Sequence, residues 1–304
     1  MSTLPTPPKP EVLRADDGVE LSYYTVGSGP GVIIIPGAMS SALSQYELAL
    51  SLSSSYTVFL FSRRGRGLSG SYPPITDTQA PLRRLSAPSD NNPVDTVYDP
   101  QICQSVLKTD LKDLFDLMRH TRAKALFGIS SGALLVLAAC TPNHHGTDVA
   151  PPPIEKAIIF EPPLILSSPR GSGLRTRDSD ADRAARSDLA ALVSAGEEDE
   201  GVVTMEMLAP VLRYDFMLVE AMVHGAEEFA RVAQGRKVLF VGGGDSPEYL
   251  KFAMRGLVGA VREGGFGEGM SWEEIGGVGH ELFENKRRNG KVELGVEAVR
   301  RFLE

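Results

Sequence analysis

Gly128-Ile129-Ser130-Ser131-Gly132 joins an apolar segment, Ala123–Phe127, to an apolar run, Ala133–Ala139. A serine between two glycines, where a strand turns straight into a helix, is sterically demanding. The serine backbone is strained, and only glycines at the flanks let strand and helix approach. Such a turn holds the Ser130 hydroxyl at the top of a sheet, beside a helix N-terminus that stabilises negative charge. This is the geometry of a nucleophile elbow, and it gains chemistry only if the chain supplies a base and an acid.

The rest of the chain is consistent with a sheet that could carry the elbow. Glu11–Ala15 and Val19–Val26 read as strands of a hairpin turned at Asp16-Asp17-Gly18. Gly31–Ile35 and Tyr56–Phe61 are continuous apolar runs, the pattern of strands buried on both faces. The elbow strand, Lys156–Phe160, Lys237–Val241 and Met270–Ile275 follow. Helical patterns fall over 41–52, 101–119, the elbow helix, 247–262 and 281–303. This alternation predicts an α/β fold: a mostly parallel central sheet of about eight strands, flanked by helices on both faces. Residues 167–235 break the rhythm after the sixth strand. They are polar and rich in Arg and Asp at first, then irregularly helical, and read as an insertion. The core is thus 11–166 and 236–304, preceded by a disordered lead over 1–10. Residues 71–99 form a long loop rich in Pro, Asp, Asn and Ser.

Composition narrows the function classes. The net charge is −8 with no basic patch, which argues against nucleic acid as a partner. The longest apolar runs are too short to span a bilayer. The N-terminus lacks the apolar core of a signal peptide, and the two cysteines, Cys103 and Cys140, make no disulfide framework. A cytoplasmic location is expected, with both thiols free and packed.

A serine hydroxyl needs a base to take its proton, usually a histidine oriented by a carboxylate. Of five histidines, His280 stands apart, because Gly276–Gly279 and the last strand precede it. His144 and His145 lie in a loop with no metal-ligand cluster nearby, so no metal is expected. The first choice of acid is Asp245, after Val241 and three glycines; Glu161, directly after the strand ending at Phe160, is the reserve. The chain order Ser130, Asp245, His280 is that of hydrolases with this elbow. Two oxyanion donors are expected: the amide of Ser131, and that of Ala38 in the loop after Ile35, where Gly37 allows a sharp turn.

These motifs together resemble the α/β-hydrolase superfamily. The resemblance rests on Pro36-Gly37-Ala38, where the family often has His-Gly-x, and on Arg64-Gly65-Arg66-Gly67-Leu68-Ser69, the pattern Arg/Pro-Gly-x-Gly-x-Ser. Gly128–Gly132 and Gly279-His280 complete it. Pro36 departs from the family pattern at a position outside the triad. The resemblance implies that 167–235 is a helical cap over the site. It also implies a serine hydrolase of an ester, thioester or lactone of a small, partly apolar metabolite. Met39, Tyr98, Tyr214 and Met217 are candidate substrate contacts. No cofactor is implied. Gly65–Gly70 also matches G-x-G-x-x-G, but Tyr72-Pro73-Pro74 breaks the helix that a dinucleotide site needs. Serine in place of aspartate argues against dehalogenase or epoxide hydrolase chemistry. An acyltransferase, a carbon–carbon lyase or cyclase using the same triad, and a ligand receptor or pseudoenzyme are the alternatives.

Overall fold

The computed structural model describes residues 4–74, 83–84, 96–141, 150–166 and 208–304. Eight strands form one sheet: β1 Glu11–Arg14, β2 Glu20–Val26, β3 Gly31–Ile35, β4 Thr57–Phe61, β5 Ala125–Ile129, β6 Lys156–Phe160, β7 Lys237–Gly243 and β8 Met270–Ile275. Their order is β1-β2-β4-β3-β5-β6-β7-β8. The β1–β2 and β2–β4 pairs are antiparallel, and every pair from β4 to β8 is parallel. The mostly parallel α/β sheet is therefore as expected. Its central strands are apolar without alternation because helices cover both faces.

Six α-helices are present among the described residues: α1 Tyr46–Leu52, α2 Pro100–Thr121, α3 Ser131–Cys140, α4 Leu212–Ala221, α5 Glu248–Glu263 and α6 Val292–Leu303. One face of the sheet packs on α2, α3, α4 and α5, the other on α1 and α6. Local chemistry sets several ends. Asp99 caps α2 by accepting from the Gln101 amide at 2.7 Å, Pro100 opens the first turn, and Arg122 ends the helix with a left-handed φ of 59°. In α5, Leu250, Ala253, Met254, Leu257, Val258 and Val261 are buried, one apolar stripe laid on the sheet. In α3 every residue is buried, as suits a helix running beneath the centre of the fold.

Two expectations are corrected. The elbow strand runs to Ile129, two residues beyond its expected end, so Gly128 lies inside the strand. The expected helix over 281–303 begins only at Val292. Residues 281–291 instead fold back on the segment before α1. Asn285 donates from Nδ2 to the Leu43 carbonyl at 2.8 Å and accepts from the Glu47 amide at 3.0 Å. Asn289 is left-handed at φ 61°, which stops a helix. His144, His145, most of the 71–99 loop and residues 167–207 lie outside the described residues. The two-residue strands 83–84 and 96–97 pair antiparallel to each other.

Candidate active site

The elbow forms where β5 turns into α3. Ser130 has φ 53° and ψ −122°, a conformation that costs a non-glycine residue about 1–3 kcal/mol. The surrounding packing enforces it. A Cβ on Gly132 would stand 2.3 Å from the Ile35 carbonyl oxygen and 2.7 Å from that of Pro36, so no other residue lets α3 begin this close to β3. The Ser130 amide donates to the Phe160 carbonyl at 2.9 Å, and its own carbonyl accepts from Ala133 to open the helix. Ser130 is nearly buried, at 8% exposure.

Beside it, on the next strand, stands the histidine's partner. Parallel register sets Ile129 opposite Phe160, so Ser130 and Glu161 are each the first residue past neighbouring strands. Glu161 is fully buried and also has a positive φ, 43°. Its Oε2 lies 2.7 Å from His280 Nδ1, and its Oε1 accepts the Gly243 amide at 2.7 Å. The His280 ring stacks on Phe160, with centroids 5.7 Å apart and planes 13° from parallel. Phe160 thus links the serine, through its carbonyl, to the histidine, through its ring. Asp245 does not take the expected place. Its amide donates to the Val278 carbonyl at 2.9 Å within the turn after β7, and the residue is exposed. That turn carries Asp245 outward, while Glu161 fills the buried position beside Nδ1.

The loop after β3 faces the serine from the other side. A Cβ on Gly37 would lie 2.8 Å from the Ser130 Cβ. Ala38 follows, and Met39 is held at φ 51°. Side chains from beyond His280 brace this loop. Arg288 donates from Nη2 to the Met39 carbonyl at 3.0 Å, and Arg288 Nε lies 3.1 Å from Glu284 Oε2. Glu284 Oε1 accepts from Ser40 Oγ at 2.9 Å and from Gln45 Nε2 at 3.0 Å. The Ala38 and Ser131 amides therefore belong to the two backbone segments that flank Ser130.

A family model described as the alpha/beta hydrolase family matches residues 32–288, which include the elbow, Glu161 and His280. The chain belongs to the α/β hydrolase family. Solved structures agree on the fold. An α/β hydrolase from Sphaerobacter thermophilus DSM 20745 is 22% identical, with a TM-score of 0.57, covering 94% of this chain and 99% of its own. A bromoperoxidase from Bacillus anthracis is 17% identical, with a TM-score of 0.59 and coverage of 97% and 99%. The enol-lactonase from Burkholderia xenovorans LB400 is 16% identical, with a TM-score of 0.56 and coverage of 96% and 99%.

In this α/β hydrolase the Arg-Gly-x-Gly-x-Ser motif has a structural use that sequence reasoning missed. Arg63, Arg64 and Arg66 are all buried. Arg64 forms a two-point pair with Asp113, at 2.5 and 2.7 Å, and reaches Asp17 at 2.7 Å. Arg63 bridges Asp110 of α2, at 2.8 Å, and Asp215 of α4, at 2.7 Å. Arg66 Nη2 meets the other oxygen of Asp215 at 2.5 Å. Burial by itself would raise the Asp215 pKa, but the charges of Arg66 and Arg63 outweigh it and hold the carboxyl below its ordinary range. The same balance raises Arg63: burial opposes its charge, and Asp110 and Asp215 restore it. Nothing local in the sequence signalled a partner some 150 residues away.

Of the other candidate contacts, Tyr214 stacks on Tyr72 with centroids 3.8 Å apart, and Met217 is buried in the same core. Tyr98 is half-buried against that core, and burial raises its pKa. Cys103 and Cys140 are both free and buried. No helix among the described residues is long and apolar enough to cross a membrane.

Proposed function

We propose that this α/β hydrolase is a serine hydrolase that cleaves an ester, thioester or lactone of a small, partly apolar metabolite through an acyl-enzyme. The observation that carries this reading is the His280 Nδ1–Glu161 contact of 2.7 Å, set beside a serine held at positive φ. A carboxylate on Nδ1 fixes the proton there and leaves Nε2 as the acceptor for the Ser130 proton. Ser130 Oγ then attacks the carbonyl carbon, and the carbonyl π electrons move onto oxygen. The Ala38 and Ser131 amides receive that oxyanion. Collapse breaks the bond to the leaving group, which takes the proton from His280. Water, deprotonated by His280, attacks the acyl-enzyme, and the acid and Ser130 are released.

In this reading Glu161 orients His280 in place of Asp245. Residues 167–235 form the cap that selects the substrate, and the two buried thiols suit a reducing, cytoplasmic setting. The test is turnover of a panel of p-nitrophenyl esters and lactones by wild type and Ser130→Ala, with labelling by a fluorophosphonate. A loss on the order of 10⁶ in kcat and loss of labelling are expected for the variant. Hydrolysis by Ser130→Ala at the wild-type rate would refute the reading.

A further inference from the structure

The buried ion-pair cluster touches the chemistry at one point. The Ser131 hydroxyl donates to Asp215 Oδ1 at 2.8 Å and lies 3.2 Å from Arg63 Nη1. Ser131 is the residue after Ser130, and it opens α3. Asp215 comes from the first turn of α4, which packs across α2 and α3. Gln104 of α2 donates to the Ala221 carbonyl at 2.9 Å, tying the far end of α4 to the same helix.

This cluster is an expensive way to dock a helix. Buried ion pairs hold elements together no better than apolar side chains of the same volume. Here Arg63 Nε, Arg66 Nε and Arg66 Nη1 also have no hydrogen-bond partner among the described residues. An apolar contact would dock α4 as well, but it could not hold a hydroxyl in one rotamer. We propose that Asp215 is a positioning residue: through the Ser131 hydroxyl it fixes the start of α3, and with it the Ser131 amide that receives the oxyanion. Arg63 holds the same oxygen of Asp215, and Arg66 holds the other. The donor geometry then depends on α4 being docked, so this segment, which falls within the proposed cap, is coupled to the oxyanion site. The inference rests on the reading of Ser130 and Ser131 given above.

Ser131→Ala tests it, because the substitution removes the hydroxyl and leaves Asp215 paired with both arginines. The readouts are kcat and KM on a p-nitrophenyl ester, and the second-order rate of fluorophosphonate labelling at Ser130, whose phosphoryl oxygen needs the same two amides. Ser131→Ala is expected to lower kcat and the labelling rate about tenfold, with KM within about twofold and an unchanged melting temperature. Asp215→Asn is expected to lose at least as much. The double variant is expected to lose no more than Asp215→Asn alone, since both changes break one linkage. Wild-type kcat and labelling in Ser131→Ala would overturn the proposal, even if Asp215→Asn fails to fold. An inactive Ser130→Ala beside a fully active Ser131→Ala would discard only this inference. An active Ser130→Ala would discard the serine mechanism itself.

Discussion

At the scale of single residues, the site is built from strained backbone just past strand ends. Ser130 at φ 53° follows β5, Glu161 at φ 43° follows β6, and Met39 at φ 51° lies in the loop after β3. Each is held by tertiary contacts: Ser130 by the hydrogen bond from its amide to the Phe160 carbonyl, Glu161 by Gly243 and His280, Met39 by Arg288. Strain of this kind persists only where the surroundings over-determine it. The two candidate acids differ by environment. Glu161 is fully buried on Nδ1, whereas Asp245 is exposed. Glu161→Gln is therefore expected to lower kcat about 10⁴-fold by spoiling the histidine tautomer, while Asp245→Asn keeps kcat within about twofold. Steady-state kinetics of the two variants on one ester decide this, and the opposite ranking would restore Asp245 as the orienting acid.

At the scale of elements, α5 shows what a helix contributes away from the chemistry. Its buried stripe, Leu250 to Val261, faces the sheet, while Phe252 on the opposite side is 58% exposed. Leu257→Ala removes buried side-chain volume and leaves a cavity, so a loss of about 2–5 kcal/mol is expected. Phe252→Ala is expected to change stability by no more than about 0.5 kcal/mol. Urea unfolding of both variants checks the contrast, and equal losses would mean that the stripe is not the packed face. α6 carries a different lesson. Apolar spacing over 281–303 reads as one helix, but Asn285 exchanges intrahelical bonds for bonds to Leu43 and Glu47. The first part of that stretch becomes the loop that carries Glu284 and Arg288 to the Ala38–Met39 segment.

At the scale of the whole molecule, the buried charges set an expected acid response. The Asp215 pKa is lowered in the fold, so the unfolded chain binds its proton first as the pH falls. Its stabilisation is complete above the ordinary aspartate pKa of about 3.9 and is lost as the pH drops through the lower folded value. The melting temperature of wild type is thus expected to fall below about pH 4. The gap between wild type and Asp215→Asn should narrow between pH 5 and pH 2.5. A gap that stays constant over that range would show that Asp215 is not held ionised by its arginines. Taken by itself, the sequence determined what depends on local pattern. Apolar runs marked the parallel strands, paired glycines marked the turn at Ser130, and a glycine-rich loop marked His280. These are legible because steric limits on a tight turn act between neighbours in the chain. The tertiary structure alone set Glu161 against His280 Nδ1 and left Asp245 exposed, although both follow strand ends. That choice depends on which turn points inward, and parallel register sets Glu161 beside Ser130 while the turn after β7 carries Asp245 outward. It alone also joined Arg63 and Ser131 to Asp215 across more than 80 residues of chain, because ion pairing is set by distance in space and leaves no mark in local sequence.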